Sequence, residues 1–119
     1  MESSDIQRIE HIKHYCEDIT KSIERFGNDF ETFRTDKDFY NSVSMGIMQI
    51  GELSSRLSDG FKQETKAQIP WGLVRSMRNM FAHDYYSMDK DTVWETATND
   101  ILTLLHFCDS IIEQHSKEK

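Results

Sequence analysis

The sequence predicts an all-α fold, an antiparallel up-down bundle of four main helices with short helical connectors. Apolar residues recur at three- and four-residue steps along nearly the whole 119-residue chain. No segment shows the strict alternation of a half-buried strand. One proline and five glycines are few, and most stand where helices should start or stop. A single domain over residues 1–119 is expected at this length. Such a chain buries roughly two-thirds of its unfolded surface, enough for one core without staples.

The first helix is expected over about residues 4–26, with Ile6, Ile9, Cys16, Ile19, Ile23 and Phe26 on one face. Ser4 and Gln7 have the spacing of a capping box, and Gly27 is a natural stop. Phe30 and Phe33 sit in a short acidic connector expected to form one helical turn. A second long helix should run from about Phe39 to Ser58, with Val43, Ile47, Ile50, Leu53 and Leu57 inward and Asp59-Gly60 ending it. Gly46 and Gly51 inside it each cost about 1 kcal/mol relative to Ala, which points to another helix approaching closely there. A short helix is expected over residues 61–67. Pro70 suits the first turn of a third long helix. Asp89 or Asp91 should cap the last helix, in which Val93, Ala97, Ile101, Leu104, Cys108 and Ile111 face inward.

Charge narrows the function. Fourteen Lys and Arg stand against 21 Asp and Glu, for a net charge of -7. That balance argues against a broad nucleic-acid footprint, which needs a basic face. Any chemistry on nucleic acid must use a small local basic site or a partner's charge. Cys16 and Cys108 read as buried thiols of a reducing compartment. There is no signal-peptide pattern and no apolar run of membrane-spanning length, so a cytoplasmic protein is expected.

The third long helix carries Arg78-Asn79-Met80-Phe81-Ala82-His83-Asp84-Tyr85. At about 100° per residue, Leu73, Val74, Met77, Met80 and Phe81 fall within roughly 120° and read as its core face. Gly72, Arg75, Ser76, Arg78, Asn79, Ala82 and His83 fall opposite. Asn79 and His83 are adjacent there. Arg78 and His83 are about 140° apart, too far to touch through backbone placement alone. A long Arg side chain, a loosened helix end or a second copy across a two-fold axis could each unite them.

An Arg and a His on a polar helix face are, by themselves, ordinary solvated surface. Their chemistry is nonetheless specific. His83 can act as general base or acid near neutral pH. The Arg78 guanidinium matches phosphate oxygens and would stabilise charge at a phosphoryl centre. Asn79 can orient a hydroxyl or hold a phosphate oxygen, and Arg75 is a candidate phosphate contact.

The string Arg78-Asn79 through His83 and Tyr85 resembles the Arg-Asn-x-x-x-His-x-Tyr signature of HEPN domains, particularly HepT-like toxins. Ile50-Gly51-Glu52, Ile69-Pro70-Trp71 and Asp89 through Val93-Trp94 extend the similarity over essentially the whole chain. Phe81-Ala82 replaces the aliphatic pair common before the His. The resemblance implies a homodimer formed around the motif helices, with two Arg/His pairs in one cleft. It implies a metal-independent endoribonuclease without a cofactor, acting on RNA. His83 would assist attack of a ribose 2′-hydroxyl on phosphorus, Arg78 would stabilise the phosphorane, and Asn79 would support placement. It further implies a toxin–antitoxin pair of type II/VII-like character. There, a minimal nucleotidyltransferase antitoxin attaches AMP to the motif tyrosine, here Tyr85. Tyr86 has no counterpart in the signature.

The alternative is a non-catalytic helical adaptor that binds a nucleotide or seats a nucleotidyltransferase's active site. His11 and His14, three apart, lack a third ligand at metal-site spacing and read as polar surface, and no metal site is expected. His106 and His115 have no evident partners. The Lys/Glu tail after His115 is expected to fray.

Overall fold

The computed structural model describes residues 2–84 and 87–118. In chain order its helices are α1 (Ser3–Phe26), α2 (Phe30–Thr35), α3 (Lys37–Ser55), α4 (Asp59–Thr65), α5 (Trp71–Asp84), α6 (Lys90–Glu95) and α7 (Ile101–Lys117). A π-helical turn, Thr96–Asp100, links α6 to α7. Among the described residues there is no strand, as the periodicity predicts.

Helix α1 is the spine, packing along both α3 and α7, while α3 also carries α5 on its flank. The expected inward positions of α1 are buried except Phe26, which is half-buried, and Ile12 joins them. Gly27 ends α1 at φ 98°, a left-handed conformation that glycine adopts without a side-chain penalty. The capping box expected at Ser4 and Gln7 does not form. The helix starts one residue earlier, from Glu2, with no side-chain cap. Asp5 turns inward instead, 1% exposed, and accepts from the Ser58 backbone N–H at 2.8 Å and the Ser58 hydroxyl at 2.6 Å.

That contact explains a second departure from expectation. Helix α3 stops at Ser55, so Asp59-Gly60 open α4 instead of closing α3. Ser58 is the N-cap of α4, its oxygen accepting from the Phe61 N–H at 3.2 Å. A serine held by a buried carboxylate from α1 fixes the break, and Leu57 stays buried in the link.

At one end of the molecule, the rings of Phe26, Phe33, Phe39 and Trp94 form a connected cluster that joins α2 and α6 to the long helices. Asp89, the first of the two expected caps, accepts from the Asp91 N–H at 3.0 Å and starts α6. The last helix was expected as one piece. A π turn, Thr96–Asp100, interrupts it, and Ala97 and Ile101 are both buried as expected. Thr98 donates its hydroxyl to the Trp94 carbonyl inside this stretch, a side-chain bond that competes with the helical ladder.

Cys16 and Cys108 are free and buried. Burial pushes the Cys108 thiol up to about 12 and the Cys16 thiol further still. Among the described residues, no helix is long and apolar enough to cross a membrane.

Candidate active site

Three contacts set the motif helix α5 in place. At its start, Trp71 is buried among Phe61 and Phe107, and its indole N–H donates to the Thr65 hydroxyl at 2.9 Å. Near its end, Phe81 is 1% exposed and belongs to the core. Between them, the helix lies directly on α3 at Gly51. A Cβ at that glycine would stand 2.5 Å from Arg78 Cβ and 2.9 Å from Arg78 Cγ. The close approach expected of Gly51 is therefore real, and the residue that approaches is the motif arginine. Gly46 does the same one level along α3, against Ile19 of α1.

The face assigned to the core on helical periodicity is only partly covered. Val74 and Met77 are half-buried, whereas Leu73 is 69% and Met80 48% exposed. The physical reason is lateral. Helix α5 rests chiefly on α3, so the side turned toward α7 borders an open apolar groove. Leu73, Met77, Met80, Ile69, Ile101 and Leu104 line this groove of about 420 Å³.

On the opposite arc, Arg78 is the most organised side chain. Its Nε–H and Nη2–H donate to Asn79 Oδ1 at 3.3 and 2.9 Å. Its Nη1–H donates to Glu52 Oε1 on α3 at 3.3 Å. A guanidinium carries five N–H donors. Three are engaged, which leaves one on each terminal nitrogen among the described residues. The side chain keeps 25% of its surface exposed.

Helix α5 is α-helical through Asp84, so no loosened end brings His83 toward Arg78. Five positions of regular helix leave their Cα atoms about 140° apart around the axis and about 7.5 Å along it. The arginine side chain itself narrows the angle. Bonding to Asn79 draws its guanidinium toward the side of α5 that carries His83, since Asn79 and His83 are four residues apart. His83 is exposed, and nothing among the described residues engages its ring. Arg75 is exposed one turn before Arg78 on the same face. Tyr85 and Tyr86 lie outside the described residues.

Glu52 is the contact that sequence reasoning did not assign. A signal existed: a glycine inside a long helix, followed at once by an acid, marks a close approach with a carboxylate beside it. The other histidines stay peripheral. His14 Nδ1 lies 3.7 Å from Glu17 on the α1 surface.

A family model described as Ribonuclease HepT-like matches residues 9–111. The chain is 34% identical over 97 residues to the "Probable ribonuclease HepT" of Thermococcus cleftensis, covering 77% of this chain and 87% of that protein. It is 28% identical over 93 residues to the "Putative RNase TTE0752" of Caldanaerobacter subterraneus subsp. tengcongensis, covering 78% and 80%. A third relative, the "Putative RNase MJ0127" of Methanocaldococcus jannaschii, is 28% identical over 83 residues, 68% of each chain. No solved structure gives a significant match.

Proposed function

Because the chain belongs to the HepT-like ribonuclease family, we propose that it is a metal-independent endoribonuclease toxin whose motif helix carries the reaction. One observation supports this most strongly. Arg78 is held from two sides yet, among the described residues, keeps one N–H on each terminal nitrogen, and an exposed imidazole stands five residues on along the same helix. A solvated surface arginine is not ordinarily clamped this way.

In this scheme His83 takes the proton of a ribose 2′-hydroxyl as the oxygen attacks the adjacent phosphorus. The phosphorane that forms carries extra negative charge on its equatorial oxygens, where the unengaged Arg78 donors stabilise it. The 5′-oxygen leaves and takes up a proton, giving a 2′,3′-cyclic phosphate and a 5′-hydroxyl end. Asn79 holds the guanidinium in place, and Arg75 is a further phosphate contact. General acid–base help of this kind contributes about 10² to 10⁴ in rate.

The site works as a homodimer, with the motif helices of two copies facing each other. Leu73 and Met80 support this, being apolar and exposed on the motif helix itself. A facing copy of the helix would cover this apolar pair. Facing copies wall a cleft that one bundle leaves shallow, and let two histidines divide the acid and base roles.

The toxin's partner is a minimal nucleotidyltransferase antitoxin that transfers AMP to Tyr85. Phosphate charge and adenosine bulk two residues past His83 would fill the site and compete with RNA for Arg78. The pair acts in the cytoplasm.

Wild type, Arg78→Ala and His83→Ala are compared for RNA cleavage in the presence of EDTA, with folding and dimer mass checked. Cleavage by wild type, lost in both variants, is the expected outcome. A folded wild type that leaves RNA intact while binding a nucleotide or the antitoxin selects the adaptor reading instead. Mixing the two inactive variants tests the composite cleft. Recovered cleavage supports it, and activity no higher than either parent rejects it.

A further inference from the structure

We infer that Glu52 is a positioning residue for Arg78, and that Gly51 is the seat on which it does so. The catalytic consequence rests on the ribonuclease reading, while the geometric claim stands by itself. Four observations on α3 and α5 converge here. The Arg78 stem lies on the α3 backbone, where no side chain larger than hydrogen fits at Gly51. The next residue, Glu52, reaches Nη1. Asn79 grips the other edge through Nε and Nη2. The helix interior position that brings both contacts together is glycine, which costs α3 stability unless close packing requires it.

The three contacts remove the freedoms of a long arginine in sequence. Gly51 fixes the stem, Asn79 fixes the Nε edge, and Glu52 blocks rotation of the far nitrogen. Among the described residues, one N–H on each terminal nitrogen is left over, and these can meet oxygens of a phosphate. Glu52 is itself half-exposed, so its carboxylate also repels any phosphate approaching from its own side. Both effects steer the anion to the remaining donors. Glu52 touches no reacting atom in this account and acts through Arg78.

The test uses the full-length protein and two readouts. The first is nitrogen NMR of the Arg78 guanidinium without RNA, with Arg78→Ala identifying the signal. Restricted guanidinium rotation is expected in wild type, to be lost in Glu52→Ala and largely kept in Glu52→Gln, whose carboxamide oxygen still accepts. Identical Arg78 signals in wild type and Glu52→Ala overturn the geometric claim.

The second readout is steady-state cleavage of a defined RNA oligonucleotide cut by wild type. Displacing a phosphate-binding group by about 1 Å costs on the order of 10²-fold in rate. Glu52→Ala should therefore lose about tenfold to 10²-fold in kcat with little change in KM, and Glu52→Gln should recover most of it. Wild-type kcat in folded Glu52→Ala, or a loss in Glu52→Gln as large as that in Glu52→Ala, overturns the positioning role. Absence of cleavage by wild type itself overturns the ribonuclease reading, and the NMR result then decides the geometric claim alone.

Discussion

Replacing Gly51 with alanine sets two opposed terms against each other. In a helix interior alanine gains about 1 kcal/mol over glycine. The new methyl, however, would stand 2.5 Å from Arg78 Cβ and 2.9 Å from Cγ, whereas carbon atoms pack comfortably at about 3.5–4.0 Å. Arg78 Cβ is fixed to the backbone of α5, so no rotamer change relieves the contact. The two helices must part by roughly 1 Å. Overpacking of this kind costs about 1–3 kcal/mol, which leaves a net loss of up to about 2 kcal/mol after the helix-propensity gain. For a domain of this size that lowers Tm by about 4 °C per kcal/mol. Gly60→Ala is the control, since nothing lies within 4 Å of a Cβ there and its φ is not in the left-handed range. It should be stabilised by several tenths of a kcal/mol, up to about 1. Urea and thermal unfolding followed by circular dichroism measure both. A Gly51→Ala protein as stable as Gly60→Ala would refute the close-contact reasoning. The same displacement moves Arg78, so RNA cleavage should fall by on the order of 10²-fold, out of proportion to the stability change.

Three further perturbations follow from the packing. Asp5→Ala removes the buried carboxylate that holds the Ser58 N–H and hydroxyl; a loss of about 2–3 kcal/mol is expected in urea unfolding, and a change near zero would show that Ser58 caps α4 unaided. Thr65→Val keeps the shape but strips the acceptor from the buried Trp71 N–H, and should cost about 1–3 kcal/mol with a change in tryptophan fluorescence. The raised thiols of Cys16 and Cys108 make stability fall in base. The unfolded chain releases these protons from about 9.0, while folded Cys108 holds its proton up to about 12. Their contribution is thus complete below the unfolded value and fades as pH rises toward the folded one. In native conditions at pH 8, thiol reagents should label both only as fast as the protein opens; rapid labelling would contradict the burial.

Helix type and most of the core were legible from the three- and four-residue spacing. The inward sets of α1 and α7, the stop at Gly27 and the close approaches at Gly46 and Gly51 all follow from that pattern and from the cost of glycine in a helix. Boundaries were less legible where a distant residue decides them. Ser58 caps α4 because Asp5, 53 positions earlier, is buried beside it, and a capping signal read locally at Ser4 pointed the wrong way. The apolar arc of α5 was legible as a pattern, but its burial was not. Periodicity reports which residues share a face, never whether a neighbour covers it, and α5 has α3 on one side and an open groove on the other.

The site divides in the same way. Residue types made Arg78, Asn79, His83 and Arg75 candidates for phosphate chemistry, and only the resemblance to the HEPN signature raised them above ordinary polar surface. Sequence also fixed the near-140° offset between Arg78 and His83, through the pitch of the helix. Only the tertiary structure decided where the arginine points, since its carboxylate partner and the glycine beneath its stem come from a helix more than twenty residues away. A long side chain has many rotamers of similar energy, and contacts remote in sequence are what select one of them.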